Sequence, residues 1–210
     1  DPAGKIVAPF GGTEPVLTPN PMAMGYPGRK YPVLIDICAS ITTLSMVRRH
    51  VAEGKNLEHP WLMDANGVPT TDPRVIEQMT PRGSIMALGG FEYGHKGFGL
   101  GLMVEALSQG LAGHGRKEAP NRWGGNTFLQ VLDPRAFGGE EAFLDEMDYT
   151  GDLCRASKPI KENVPVRLPG EQAVRNIAAA EKSGLSWDSL TWGKLSLYGK
   201  ELDVRLPDLN

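Results

Sequence analysis

The sequence predicts an α+β fold, a mixed β-sheet flanked by helices, and three observations carry that expectation. Short apolar runs alternate with helical periodicities along the 210 residues. The connections between them are irregular, so regular βαβ units of about thirty residues do not form. The run Gly97-x-Gly99-x-Gly101 lacks the GxGxxG spacing of a dinucleotide fingerprint, because position 102 is Leu, and no adequate strand precedes it. A doubly wound nucleotide-binding fold is rejected on that ground.

The elements follow in order. Residues 1–31 are turn-rich, with Gly11-Gly12, Asn20-Pro21 and Pro27-Gly28; a residue before proline is pushed out of the helical region. Tyr31 to Ile37 reads as a short buried strand interrupted by one acid, Asp36,. Ser40 to Ala52 looks helical, with Ser40 or Thr42 as its cap. Residues 54–73 form a polar loop in which Asp64-Ala65-Asn66-Gly67 is a hairpin-type turn signal. Thr71-Asp72-Pro73 caps a short helix through Met79. Ile85 to Leu88 is a brief strand, and a helix reaches about Leu111 on the stripe Leu100, Val104, Leu107 and Leu111,. Thr127 to Leu132 looks like a strand that Asp133-Pro134 ends. Glu140 to Arg155 is a helix, and Val164 to Leu168 is extended. Glu171 to Ser183 is a helix that Gly184 stops, and a last helix runs from Ser186 or Trp187 to Tyr198 with Gly199 after it.

Length suits one large domain or two small ones. Apolar content is 40%, charged content 22% and net charge -3, with no dense basic run, so nucleic-acid binding has no electrostatic support. Cys38 and Cys154 show no metal-ligand spacing, and His50, His59 and His114 show none among themselves; no metal site is expected. Reduced thiols in a cytoplasmic protein are the simpler reading. No apolar run approaches the roughly 18 residues that span a membrane, and the opening Asp1-Pro2-Ala3-Gly4-Lys5 has no signal-peptide core,. With no initiator Met and six prolines in its first thirty residues, the chain reads as beginning partway through a protein. The four Trp residues read as core or interface.

The stretch from Gly89 to Gly101 holds six glycines in thirteen positions, with His95-Lys96 among them. Glycine permits sharp turns and close backbone approach, and a helix start offers unpaired N–H groups and a positive dipole end. That chemistry suits a phosphate or carboxylate. An ordinary glycine-rich turn ahead of a core helix fits the local pattern equally well.

Five ordered motifs carry a resemblance. Gly94-His95-Lys96-Gly97-Phe98-Gly99-Leu100 is similar to a signature of the malate/L-lactate/L-sulfolactate dehydrogenase family, the non-Rossmann type that includes ureidoglycolate dehydrogenase, diketogulonate reductase and piperideine-carboxylate reductase. Pro19-Asn20-Pro21-Met22-Ala23, Leu34-Ile35-Asp36-Ile37-Cys38-Ala39-Ser40, the Leu62–Pro73 loop and Val166-Arg167-Leu168-Pro169-Gly170-Glu171 resemble its other motifs in its order. Thr18-Pro19, Ile37-Cys38 and the residues after Ser40 depart from the usual pattern.

The resemblance implies the non-Rossmann NAD(P)-binding fold of the sulfolactate dehydrogenase type. It implies hydride transfer between NAD or NADP and C2 of a small 2-oxo or 2-hydroxy acid, by a homodimer. It places Asp36 at the catalytic centre, orienting an acid histidine of the family's leading helical region, which has no counterpart in residues 1–210; an incomplete cofactor-binding fragment needing a partner chain is the alternative. Asp36, Ile37, Cys38, Ser40, Thr42, His95, Lys96, Gly170, Glu171 and Gln172 would contact the cofactor. For Asp36 the competing reading is a strand-end acid bonding nearby backbone; for Ser40 and Thr42, simple capping; for Glu171, dipole capping. Arg48 and Arg49 read as a solvated pair rather than a 2′-phosphate site.

Overall fold

A computed structural model describes residues 2–77, 79–118, 121–122 and 124–207, with Leu190 described by its backbone only. The chain divides into two compact units, residues 1–148 and 149–210. Trp123 lies outside the described residues.

The first unit has its core around a three-stranded antiparallel sheet of order β4-β3-β5: β3 (Leu62–Met63), β4 (Pro69–Thr70) and β5 (Ser84–Ile85). The expected hairpin turn joins β3 to β4: Asp64 Oδ1 accepts from the N–H groups of Asn66 (2.8 Å) and Val68 (2.9 Å), and Gly67 takes the positive φ the turn needs,. Val7 makes isolated bridges, antiparallel to Leu17 and parallel to Ile85. Val7, Leu17, Leu62, Ile76 and Ile85 share one buried cluster.

That cluster also takes Val47 from α1 (Leu44–Glu53). The helix starts later than expected, and Thr43, not Ser40 or Thr42, caps it by accepting from the Met46 N–H at 3.2 Å. The reason is upstream: Ser40 bridges to Ala87 and the Ile41 N–H donates to Met86 O at 3.0 Å, which ties residues 40 and 41 to the 86–87 backbone and keeps them out of the helix. The short helix α2 (Arg74–Glu77) follows the Asp72 cap; Gln78 lies outside the described residues.

β1 (Pro21–Tyr26) and β2 (Val33–Cys38) form a separate antiparallel ribbon, registered from Pro21↔Cys38 to Tyr26↔Val33. The strand expected at Tyr31–Ile37 therefore exists, but it is not buried: only Val33 is, because the ribbon has two strands and no described element covers a face of it. Its turn is held instead. Arg29 donates to Glu141 and Asp145 at the start of α5 (Glu140–Ala156), and Tyr26 meets Phe143 edge-on at 6.1 Å.

The glycine-rich stretch is helical, not a loop. α3 (Gly90–Tyr93) is followed at once by α4 (His95–Glu105), then by a π-helical turn over Ala106–Gly110. The inward face of α4 is Gly97 and Gly101, four apart, rather than the leucine stripe, of which Leu107 and Leu111 are exposed. The expected strand Thr127–Leu132 is absent. Among the described residues no strand pairs with that tract, and Leu129 and Val131 stand 84% and 87% exposed. The Asp133-Pro134 signal opens a 3₁₀ turn, Pro134–Ala136.

In the second unit α6 (Glu171–Ser183) has the expected bounds, with Gly184 at its end. Val164–Leu168 takes no part in a strand. α7 (Ser189–Glu201) is capped by Asp188 and passes through Gly199. That glycine was expected to end the helix; it lies inside because Val204 O and the Leu206 side chain fold back onto it, leaving little room for a Cβ.

Candidate functional site

Within the first unit, a single hydrogen-bonded knot joins two of the sequence-predicted segments. The Leu88 N–H donates to Ala39 O at 2.8 Å, and the Gly97 N–H donates to Leu88 O at 3.0 Å. The start of α4 is thereby seated on the end of β2. Gly97 is required there: a Cβ would strike Leu88 backbone and Ala39 O. The knot fixes His95 and Lys96, at the exposed start of α4, relative to Asp36–Thr42.

The side chains differ in what they can do. Asp36 is exposed, and its carboxylate makes no hydrogen bond or ion pair among the described residues; it is neither buried nor tied to backbone. Ile37 is 39% exposed. Cys38 is a half-buried free thiol. Burial, and then the nearby Asp36 charge, push its pKa above the ordinary value,. Ser40 and Thr42 are buried, and the Ser40 hydroxyl is spent on Thr42 O at 2.7 Å, so it is not free for a phosphate. The His95 ring packs edge-on against Phe10 at 5.5 Å, and the Lys96 ammonium lies 5.5 Å from the Tyr93 ring centroid,. Arg48 pairs with Glu77 and Arg49 with Glu53, as a solvated face would.

Gly170, Glu171 and Gln172 belong to the second unit. Gly170 precedes α6 at φ +93°, and no side chain caps that helix start. The Glu171 carboxylate is held by Arg155 at 2.8 Å. Gln172 accepts from Arg167 and donates to Asn176 Oδ1 at 2.7 Å. Glu171 thus has the structural role its position allows, and its charge is compensated.

Sequence reasoning missed two features. Asn20, read as a turn residue before proline and as one position of the Pro19–Ala23 motif but given no role, is 3% exposed at φ +46°. It accepts from Thr18 and donates to Gly101 O (3.1 Å) and Glu105 Oε1 (3.0 Å). Glu105 in turn pairs with Arg116 at 2.7 Å, and Arg116 donates to Gly4 O at 2.6 Å. The available signal was Asn itself, the residue that best tolerates a left-handed backbone after glycine. The second is a cavity of about 410 Å³ between the Ala8–Thr13 loop, Met63, Met86 and the start of α3; its Gly11-Gly12 and Asn66-Gly67 turns and its glycine-rich wall were legible, but not that they meet.

Among the described residues, no group of three His, Cys, Asp or Glu side chains is placed to hold a metal, and no helix is long and apolar enough to cross a membrane.

Comparison with known proteins identifies the family of the chain. The L-sulfolactate dehydrogenase of Methanothermobacter thermautotrophicus is 28% identical over 207 residues, covering 95% of this chain and 57% of that protein. The malate/(S)-sulfolactate dehydrogenase of Methanothermus fervidus is 31% identical over 208 residues, with 95% and 57% covered. The structure of a putative malate/lactate dehydrogenase from E. coli superposes with a TM-score of 0.78 at 25% identity, covering 98% of this chain and 57% of that one. Malate dehydrogenase from Entamoeba histolytica, at 22% identity, shares the fold with a TM-score of 0.87 over 97% of this chain and 60% of its own. The chain spans a little over half the length of the curated relatives it matches. The family model described as malate/L-lactate dehydrogenase matches residues 2–196, and the chain belongs to that family.

Proposed function

We propose that the protein, at full length, is an NAD(P)-dependent oxidoreductase that interconverts a small 2-oxo acid and the corresponding 2-hydroxy acid, acting as a homodimer. The observation that carries this reading is the Ala39–Leu88–Gly97 knot, which seats His95 and Lys96 beside the Asp36–Thr42 segment. The residues present fit a dinucleotide: an exposed ammonium at Lys96, and a helix start at Gly170 that no side chain occupies, both suited to phosphate oxygens. The bound nicotinamide supplies the hydride. Lys96 would hold a phosphate, and His95, packed against Phe10, would contact the cofactor; Gly170, Glu171 and Gln172 of the second unit are taken as further cofactor contacts on the family resemblance. Asp36, its carboxylate unspent, orients the imidazole that protonates the substrate oxygen at C2.

The test is a titration of NADH and NADPH by fluorescence, followed by a panel of pyruvate, oxaloacetate, sulfopyruvate and piperideine-2-carboxylate on the full-length protein. A charge-assisted contact is worth about 1.5–3 kcal/mol, so Lys96→Ala weakens binding at least about tenfold. Undiminished binding by Lys96→Ala together with Glu171→Ala removes the proposed cofactor site, and no turnover of any acid removes the dehydrogenase reading.

A second reading has its own observation. The Asp36 carboxylate lacks a partner among the described residues, as it would in a cofactor-binding portion whose acid histidine comes from other residues. On that reading the 210-residue chain binds cofactor and turns over nothing, while the full-length protein does both.

A further inference from the structure

The cavity beside α3 adjoins both candidate segments. Gly94, in its wall, immediately precedes His95, and Phe10, at its rim, is the residue the His95 ring packs against. Met86 and Ala87, also in the wall, are paired with Ile41 and Ser40. At about 410 Å³ the cavity falls within the size of sites that hold small organic ligands.

Its chemistry is one-sided. Among the described residues, no lining side chain is ionisable: Phe10 and Phe91 flank it, Met63 and Met86 floor it, and Thr13 and Asn66 are its polar side chains. Phe10 and Phe91 are 45% and 58% exposed, large apolar surfaces left uncovered at the mouth of a hollow. Methionine and aromatic walls accommodate apolar groups of varied shape. A second carboxylate or a sulfonate placed there would lose its hydration and meet no cation.

We propose that this cavity receives the side chain of the 2-oxo acid, and that the enzyme therefore favours acids with an uncharged branched or aryl side chain over those carrying a second acid group. The proposal rests on the dehydrogenase reading above. One added methylene in an apolar subsite is worth about 10–200-fold in kcat/KM. Phenylpyruvate and 4-methyl-2-oxopentanoate are accordingly turned over with kcat/KM at least about tenfold above oxaloacetate and sulfopyruvate.

Two variants of the full-length protein at exposed rim positions test it without disturbing the buried core. Thr13→Trp fills the mouth and lowers the phenylpyruvate-to-pyruvate ratio of kcat/KM at least about tenfold. Asn66→Arg supplies the missing cation and shifts the oxaloacetate-to-phenylpyruvate ratio upward by a similar factor, a gain that misfolding cannot produce. NADH affinity is measured on the same variants. If oxaloacetate or sulfopyruvate is the best substrate of the wild type, or if the variants weaken NADH binding and leave the substrate ratios unchanged, the assignment is wrong and the dehydrogenase reading stands. If no 2-oxo acid is turned over, both fall.

Discussion

At the scale of single residues, the site is set by what each polar group has already spent. The Ser40 hydroxyl donates to Thr42 O and the Glu171 carboxylate is paired with Arg155, whereas the Asp36 carboxylate has no hydrogen-bond or ion-pair partner among the described residues. The coupling between Asp36 and Cys38 makes that difference measurable. Burial and then the Asp36 charge raise the Cys38 pKa, so its thiolate, the form that reacts, is scarcer at a given pH than on an unperturbed cysteine. The sign is fixed: the alkylation rate rises with pH along a curve displaced to the alkaline side. Removing the carboxylate with Asp36→Asn takes away the second cause but not the first, so the curve moves partway back toward acid. Iodoacetamide labelling across pH in a Cys154→Ser background measures it. An unmoved curve would show that Asp36 does not reach Cys38 electrostatically.

At the scale of elements, α4 shows how glycine can stand for packing rather than looseness. Leu100, Val104, Leu107 and Leu111 imply a leucine-faced helix, yet the helix turns Gly97 and Gly101 inward. Its backbone must approach Leu88 and Ala39 closely enough to hydrogen-bond, and a leucine there would hold it off. The sequence could not reveal this because the groups that α4 approaches, the Ala39 and Leu88 backbone, are distant in sequence and are brought to it only by the fold. A matched pair of substitutions separates the two roles of glycine. Ala in a helix interior is favoured over Gly by about 1 kcal/mol, and at Gly99 nothing lies within reach of a new Cβ. Gly99→Ala therefore stabilises by about 0.5–1 kcal/mol. At Gly97 the new Cβ meets backbone on two sides, and overpacking costs about 1–3 kcal/mol or more. The clash outweighs the propensity gain, so Gly97→Ala destabilises. Urea midpoints with unchanged slopes decide it; equal shifts for the two variants would refute the close-packing account.

At the scale of the whole molecule, legibility tracked how local each signal was. The turn at Asp64–Gly67, the body of α5 and the bounds of α6 depend on residues within a few positions and matched expectation. Asn20, the cavity and the late start of α1 depend on segments distant in sequence, and no local pattern carries them. Thr127–Leu132 is the sharpest case. Its composition reads as a strand, but a strand needs a neighbour, and none of the described residues pairs with it. Such a tract, uncharged, proline-free and rich in apolar residues, is the kind that pairs between chains. It also sits in a chain that spans a little over half the length of its relatives. Two lysines decide whether the tract is as open as its 84% and 87% exposures at Leu129 and Val131 indicate. Substitutions at open surface positions move stability by no more than about 0.5 kcal/mol, while burying an unpaired ammonium costs several kcal/mol. In the 210-residue chain, Leu129→Lys with Val131→Lys is expected to leave the thermal midpoint within about 2 °C and to raise the concentration at which light scattering reports association. A large fall in the midpoint would mean that the tract is covered in solution, and the strand that its composition predicts would then have found its partner.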